Sequence, residues 1–269
     1  MSDNQRAVLG VAPVARRWAE ALDAWRIPDE IIGQAPVSPW IHPLELFVAA
    51  DEIADGPSHR RAREAVPDGG TVLDVGCGGG RAAFALVPPA GRVVGVDHME
   101  RMLAEFAAAA DRRGVAHTEV LGDWPDVADA TEAADVVVCH HVAYNVADLA
   151  PFALALDAHA RRRVLLELPD RHPLTHLAPL WLHFWGLRRP SGPTSQDAAD
   201  VLREVGLDVQ LEHWSDEAGH RTAALSWDRQ VEFMRIRLCL TADRDAELSV
   251  VMKDTPPEPR RMTTLWWSR

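Results

Sequence analysis

Three acidic residues, Asp74, Asp97 and Asp123, each close a short apolar run, and the first lies two positions before the glycine turn Gly76-Cys77-Gly78-Gly79-Gly80. Glycines let backbone N–H groups approach a ligand that any Cβ would push away, and the apolar run before them pins the turn to the edge of a buried sheet. That combination holds a nucleoside. A further run ends on His140-His141-Val142-Ala143-Tyr144-Asn145, which brings an imidazole and a phenol to the same edge, and histidine titrates near neutrality. The chemistry on offer is group transfer or proton removal beside a nucleoside-bearing ligand.

Which nucleoside is decided by charge. The dinucleotide pattern G-x-G-x-x-G needs its third glycine where this chain has Arg81, and a dinucleotide wants its pyrophosphate at the following helix N-terminus. Asp74 beside the turn would repel phosphate and attract an ammonium. The stretch Val72-Leu73-Asp74-Val75-Gly76-Cys77-Gly78-Gly79-Gly80 resembles the first motif of the class I S-adenosylmethionine (SAM) dependent methyltransferases, and SAM carries an ammonium and no phosphate. The resemblance runs over residues 70 to about 168. It implies SAM as cofactor and S-adenosylhomocysteine (SAH) as product, with Gly76, Gly78 and Gly80 lining the pocket and Asp74 at the amino-acid tail. Asp97, 21 residues after Gly76, can accept from both ribose hydroxyls. His98 and Met99 then border the adenine, Asp123 meets its amino group, Trp124 offers a stacking wall, and His140 lines the cofactor side.

These residues need a sheet to carry them. The runs at 71–75, 92–97, 117–124, 134–141 and 163–169 are short strand patterns, the last two apolar and rich in β-branched residues, and helical patterns at 100–112 and 148–160 lie between them. With further strands at 208–214 and 262–267 and a helix at 195–205, the expectation is an α/β fold. Its seven-stranded Rossmann-like methyltransferase sheet would have six parallel strands, the last antiparallel as the resemblance implies, and helices on both faces. Helices at 14–25, 44–54 and 58–66 precede the first strand. An N-terminal helical cap over 1–66, a lid in the resembling family, would bring Trp40 and His42 inward, and residues 67–269 would form the SAM-binding domain. Two insertions, 170–194 and 215–260, the second with a helix at 227–240, are expected to shape the acceptor site.

In an open α/β sheet the ligand lies beyond the carboxyl ends of the strands, where strand order reverses. His141 and Tyr144 are there the candidate catalytic groups. Asn145, His172, and the pair Trp181 and Trp185, four apart on one helix around His183, are candidate acceptor contacts. No H-E-x-x-H or paired cysteines suggest a metal. The 28 basic and 40 acidic residues give a formal charge of −12, which opposes the phosphate attraction that nucleic-acid binders rely on. The expected partner is a small-molecule methyl acceptor, not a polynucleotide. The three cysteines are odd in number and widely spaced, and no run reaches the 18 or so apolar residues of a membrane span. A cytoplasmic monomer or homodimer is expected. Two other functions share these features, a SAM-binding module without turnover and a nicotinamide-dependent oxidoreductase.

Overall fold

The computed structural model describes residues 13–40, 53, 55–216, 225–255 and 260–269. Seven strands form one sheet: β1 (Thr71–Val75), β2 (Arg92–Asp97), β3 (Ala116–Leu121), β4 (Ala134–His140), β5 (Ala160–Pro169), β6 (Gln210–Asp216) and β7 (Arg260–Ser268), in the order β3-β2-β1-β4-β5-β7-β6. The pairs from β3 to β5 are parallel, and β7 runs antiparallel to both β5 and β6. Order reverses between β1 and β4, so the crevice opens above those two strands. This is the expected sheet.

Alternation along the strands sorts side chains to two faces. Leu73, Val75, Val137, Cys139, Val164, Leu166 and Leu265 bury against α6 (Leu149–His159) and α8 (Ser195–Glu204). Val72, Val93, Val136, Val138 and Leu165 bury on the other face against α4 (Arg81–Phe84) and α5 (Glu100–Arg113). Local signals set the ends of these helices. Thr194 and Asp197 form a reciprocal capping box at the start of α8. Gly114, at φ 64°, closes α5 behind Arg112 and Arg113.

The described N-terminal helices are divided among the layers. Trp18 of α1 (Pro13–Asp23) is buried in the first core, donates to the Val146 carbonyl at 2.8 Å, and brings α1 against α8. α3 (Pro57–Arg63) lies on β5 and β7. The region expected to hold a helix at 44–54, and His42 with it, falls outside the described residues apart from residue 53.

The two insertions are built together. β6 extends to Asp216 and β7 begins at Arg260, so the second insertion is shorter than expected. Its helix α9 (Trp227–Arg237) stops three residues early, ahead of Cys239 at φ 56°, and α10 (Asp245–Asp254) follows, which sequence periodicity did not show. α9 and α10 bury Val231, Met234, Leu238 and Leu248 against Leu177, Leu180 and Trp181 of the first insertion, whose helix is α7 (Ala178–Trp185). Ile31 of the short α2 (Asp29–Ile32) joins them. A third core thus sits apart from the two sheet faces.

Candidate active site

The glycine turn follows β1 with Gly76 at φ 72° and Gly80 at φ 84°. A Cβ at Gly76 would stand 2.4 Å from Cγ2 of Val142, and one at Gly80 would stand 2.1 Å from Cε2 of Phe84. Both positions therefore require glycine on conformation and on space. Asp97 closes β2 and braces the turn from across the crevice: Oδ2 accepts from Gly78 N at 3.0 Å and Oδ1 from Met99 N at 2.9 Å. Each oxygen keeps a further lone pair for a ligand.

Asp74 has a different role from the one its position suggests. It is 1% exposed and accepts from the Ala83 N–H at 3.1 Å, so it ties β1 to α4 beneath the turn instead of meeting a ligand directly. Burial, opposed by that hydrogen bond and aided by Asp97, pushes its pKa up to about 7. Asp123 and His98 lie at the rim, well exposed, with His98 Nδ1 3.5 Å from Asp123 Oδ1. Trp124 is turned away from a stacking role: its indole N–H donates to the Phe152 carbonyl at 3.3 Å, and its ring packs on the first core and edge-on to His159.

At the end of β4 the chain swings sharply. His141 is a non-glycine residue in the left-handed region, at φ 63°, with its N–H bonded to the Glu167 carbonyl at 2.7 Å. Its ring Nε2 lies 3.1 Å from Oε1 of the same Glu167, and His140 Nδ1 is 3.7 Å from that oxygen. His140 and Glu167 are register partners on β4 and β5, so their side chains share a face. His59 of α3 stacks on His140, with ring centroids 5.6 Å apart. Burial pushes the Glu167 carboxyl up, but His140, His141 and the Ser58 hydroxyl together hold it well below the ordinary carboxylate range. The outer ring nitrogen of His141, Nδ1, is 3.3 Å from the Arg260 guanidinium.

Several expected contacts are corrected by this geometry. Tyr144 is buried and donates to the Pro169 carbonyl at 2.9 Å, its ring stacked on Trp18, and burial followed by Asp170 and Asp197 raises its pKa. A phenol so held is a packing residue and not a proton carrier. His172 is buried and stacks on Trp25 at 4.0 Å. Trp181 is 2% exposed inside the third core, and the Trp185 indole donates to the Leu238 carbonyl at 2.7 Å. Neither forms a wall of the crevice. Trp40 is half-exposed, so it does not reach inward as expected, and Asn145 is exposed. Glu167, Arg260 and His59 were not anticipated. A lone acid within Leu165-Leu166-Glu167-Leu168 was the available signal for the first, because buried Glu is rare unless paired.

The thiols of Cys77 and Cys139 are buried and pushed well above their ordinary pKa, first by desolvation, so neither is an activated nucleophile. Among the described residues no group of His, Cys, Asp or Glu is placed to hold a metal ion, and no helix is long and apolar enough to cross a membrane.

His172 carries a testable consequence of its burial. Desolvation, with Arg189 nearby, lowers its pKa from 6.5 to about 4. Above pH 6.5 the folded and unfolded chains both hold it neutral. Between 6.5 and about 4 only the unfolded chain takes the proton, so stability falls as pH drops through that window. The variant His172→Asn should flatten this part of the curve in urea denaturation measured at pH 7, 5.5 and 4.5, about the middle of the titration. An unchanged slope would remove the assignment.

The sheet thus brings a glycine turn, a strand-terminal carboxylate and a clamped imidazole together at its reversal point. Residues 72–161 match the family model described as a methyltransferase domain. The matched stretch runs from β1 through α6. Solved structures share the fold at low identity. A SAM-dependent methyltransferase from Thiobacillus denitrificans in complex with SAH is 16% identical with a TM-score of 0.55, over 90% of this chain and 99% of that one. YjhP from E. coli is 16% identical with a TM-score of 0.53, over 84% and 98%. YcgJ from Bacillus subtilis gives 16% and 0.53, over 79% and 97%. No curated protein sequence matches.

Proposed function

We propose that this protein moves the sulfonium methyl group of SAM to a small-molecule acceptor held above the tips of β4 and β5. The observation that carries the reading is Asp97, whose carboxylate is fixed by the N–H groups of Gly78 and Met99 at the mouth of the glycine turn. The residues present fit SAM. Outer lone pairs of Asp97 suit the two ribose hydroxyls, and the negative charge on Asp97 disfavours a pyrophosphate beside it. Met99, His98 and Asp123 border the place an adenine would take, while Gly76, Gly78 and Gly80 let its backbone contacts form.

When bound, SAM supplies a methyl carbon to the acceptor's lone pair while the carbon–sulfur bonding pair stays on sulfur, leaving SAH. The protein's own work is positioning and proton removal. Glu167 grips His141 through both its carboxylate and its backbone carbonyl, which turns Nδ1 toward the crevice as the proton-accepting nitrogen. Glu167 is thereby a positioning residue. His140 and the Ser58 hydroxyl also hold its buried charge. The formal charge of −12 and the third core beside the sheet support a small acceptor over a polynucleotide. We place the protein in the cytoplasm, as a monomer or homodimer.

Calorimetric titration with SAM, SAH and NAD tests the reading. Binding of SAM and SAH is the expected result, and binding of NAD in their place would sink it in favour of an oxidoreductase. The variant His141→Ala should keep SAH affinity within about twofold while methyl transfer drops about 100-fold or more, the usual scale for a lost general base. Intact function of that variant alongside SAM binding would instead mark a module without turnover.

A further inference from the structure

Arg260 opens β7 opposite the end of β6, in register with Asp216. It is half-buried, and its guanidinium stands 3.3 Å from Nδ1 of His141. Desolvation lowers its pKa, Asp216 and then Glu167 act against that, and Arg81 adds to it. Arg81 follows the glycine turn directly, so a second cation from a distant part of the chain lies close enough to act on Arg260. Asp216 and Glu167 meet the charge of Arg260 from its own surroundings, and the face it turns to His141 remains the one at which an acceptor group could engage it.

Geometry at His141 makes the placement consequential. Nε2 is directed at Glu167, so Nδ1 is the nitrogen available to take a proton, and Arg260 covers it. An imidazole nitrogen offers one neutral lone pair, whereas the guanidinium presents five N–H donors in a planar fork that matches a carboxylate in bidentate fashion. A carboxylate is therefore the better partner for the same group.

We propose that the methyl acceptor carries a carboxylate bound by Arg260, and that this engagement draws the guanidinium off His141 Nδ1 so that the ring can take the acceptor's proton. The inference rests on the methyltransferase reading and names the chemical class of its acceptor. A neutral or cationic molecule of the same shape leaves Arg260 on Nδ1 and the base covered. Selectivity for the anion and exposure of the base are then one event.

Benzoate and benzamide, nearly equal in size and different in charge, serve as probes of the full-length protein loaded with SAH. Benzoate should bind at least tenfold more tightly than benzamide and should shift the His141 Nδ1 resonance in nitrogen NMR. Arg260→Met should bring benzoate down to the benzamide level, and Arg260→Lys should retain part of the preference because it keeps the charge without the fork. Equal affinity for the two probes, absence of binding by both included, overturns the proposal. So does a benzoate preference that survives Arg260→Met, or a His141 resonance unmoved by bound benzoate. Should Arg260→Met fail to fold, the two probes and the resonance of the wild-type protein decide alone. SAH titration of the same preparation separates the two levels: failure to bind SAH removes the methyltransferase reading, while lost probe selectivity with SAH bound removes only the carboxylate.

Discussion

Asp97→Ala is expected to weaken SAM and SAH by about 10- to 100-fold, or about 1–3 kcal/mol, the range for hydrogen bonds to a charged acceptor left unmade. Two losses combine. The ribose hydroxyls lose their acceptor, and Gly78 N and Met99 N lose the oxygens that hold them at 3.0 and 2.9 Å. The second loss matters because Gly78 lies in a turn that already runs through positive φ at Gly76, Gly78 and Gly80, so its shape depends on outside support. Asp97→Asn should recover part of the binding, since the amide oxygen can accept one of the two N–H groups. Asp123→Ala provides the contrast: at 76% side-chain exposure its contact with an adenine amino group is open to water, and a change of no more than a few-fold is expected. Calorimetry with SAH measures all three. An Asp97→Ala protein that binds SAH as tightly as the parent would remove the ribose assignment.

The parts of the site that could be read in the sequence are those in which one short segment dictates both fold and chemistry. The run from Val72 to Gly80 is a strand, a turn and a candidate ligand contact within nine residues, and Asp97 follows one βα unit later. Such spacing is local, so the chain alone carries it. Glu167 and Arg260 depend on something else. Glu167 meets His140 through parallel register with β4, and Arg260 reaches His141 from 119 residues away. Only the assembled sheet makes them neighbours. The aromatic residues misled for a related reason: Tyr144, Trp181 and Trp185 have ring faces that suit a ligand and a core equally well. Trp181 and Trp185 were claimed by the core that α9 and α10 complete far downstream, and Tyr144 by Trp18 of α1 and the Pro169 carbonyl. Likewise Asp74 reads as a ligand-facing acid until the chain places the Ala83 N–H above it.

Glu167→Ala is expected to be the most damaging single change in the described site. The side chain is 7% exposed on the central face of β5, where an ion is retained only because its partners compensate for lost hydration. Its removal leaves His140, His141 and the Ser58 hydroxyl without their shared acceptor, a loss of about 3–5 kcal/mol by analogy with other broken buried pairs. Turnover should collapse further than stability accounts for, because the backbone clamp at 2.7 Å persists while the ring loses the carboxylate that orients its Nε2. Glu167→Gln separates the two effects. It keeps the volume and one acceptor oxygen, so urea denaturation should show a smaller loss, about 1–2 kcal/mol, yet methyl transfer should still fall about 10-fold or more as the imidazolium loses its counter-charge. Acid provides an independent check. The Glu167 carboxyl titrates well below its ordinary value in the folded chain, so its contribution is full above the unfolded pKa and is lost as pH falls through the depressed one. That loss lies at or below the acid end of the His172 window, and Glu167→Gln should abolish it while leaving the slope between pH 6.5 and about 4 intact. A Gln variant with parental turnover would mean that His141 needs no carboxylate behind it, and its assignment as the base would fall.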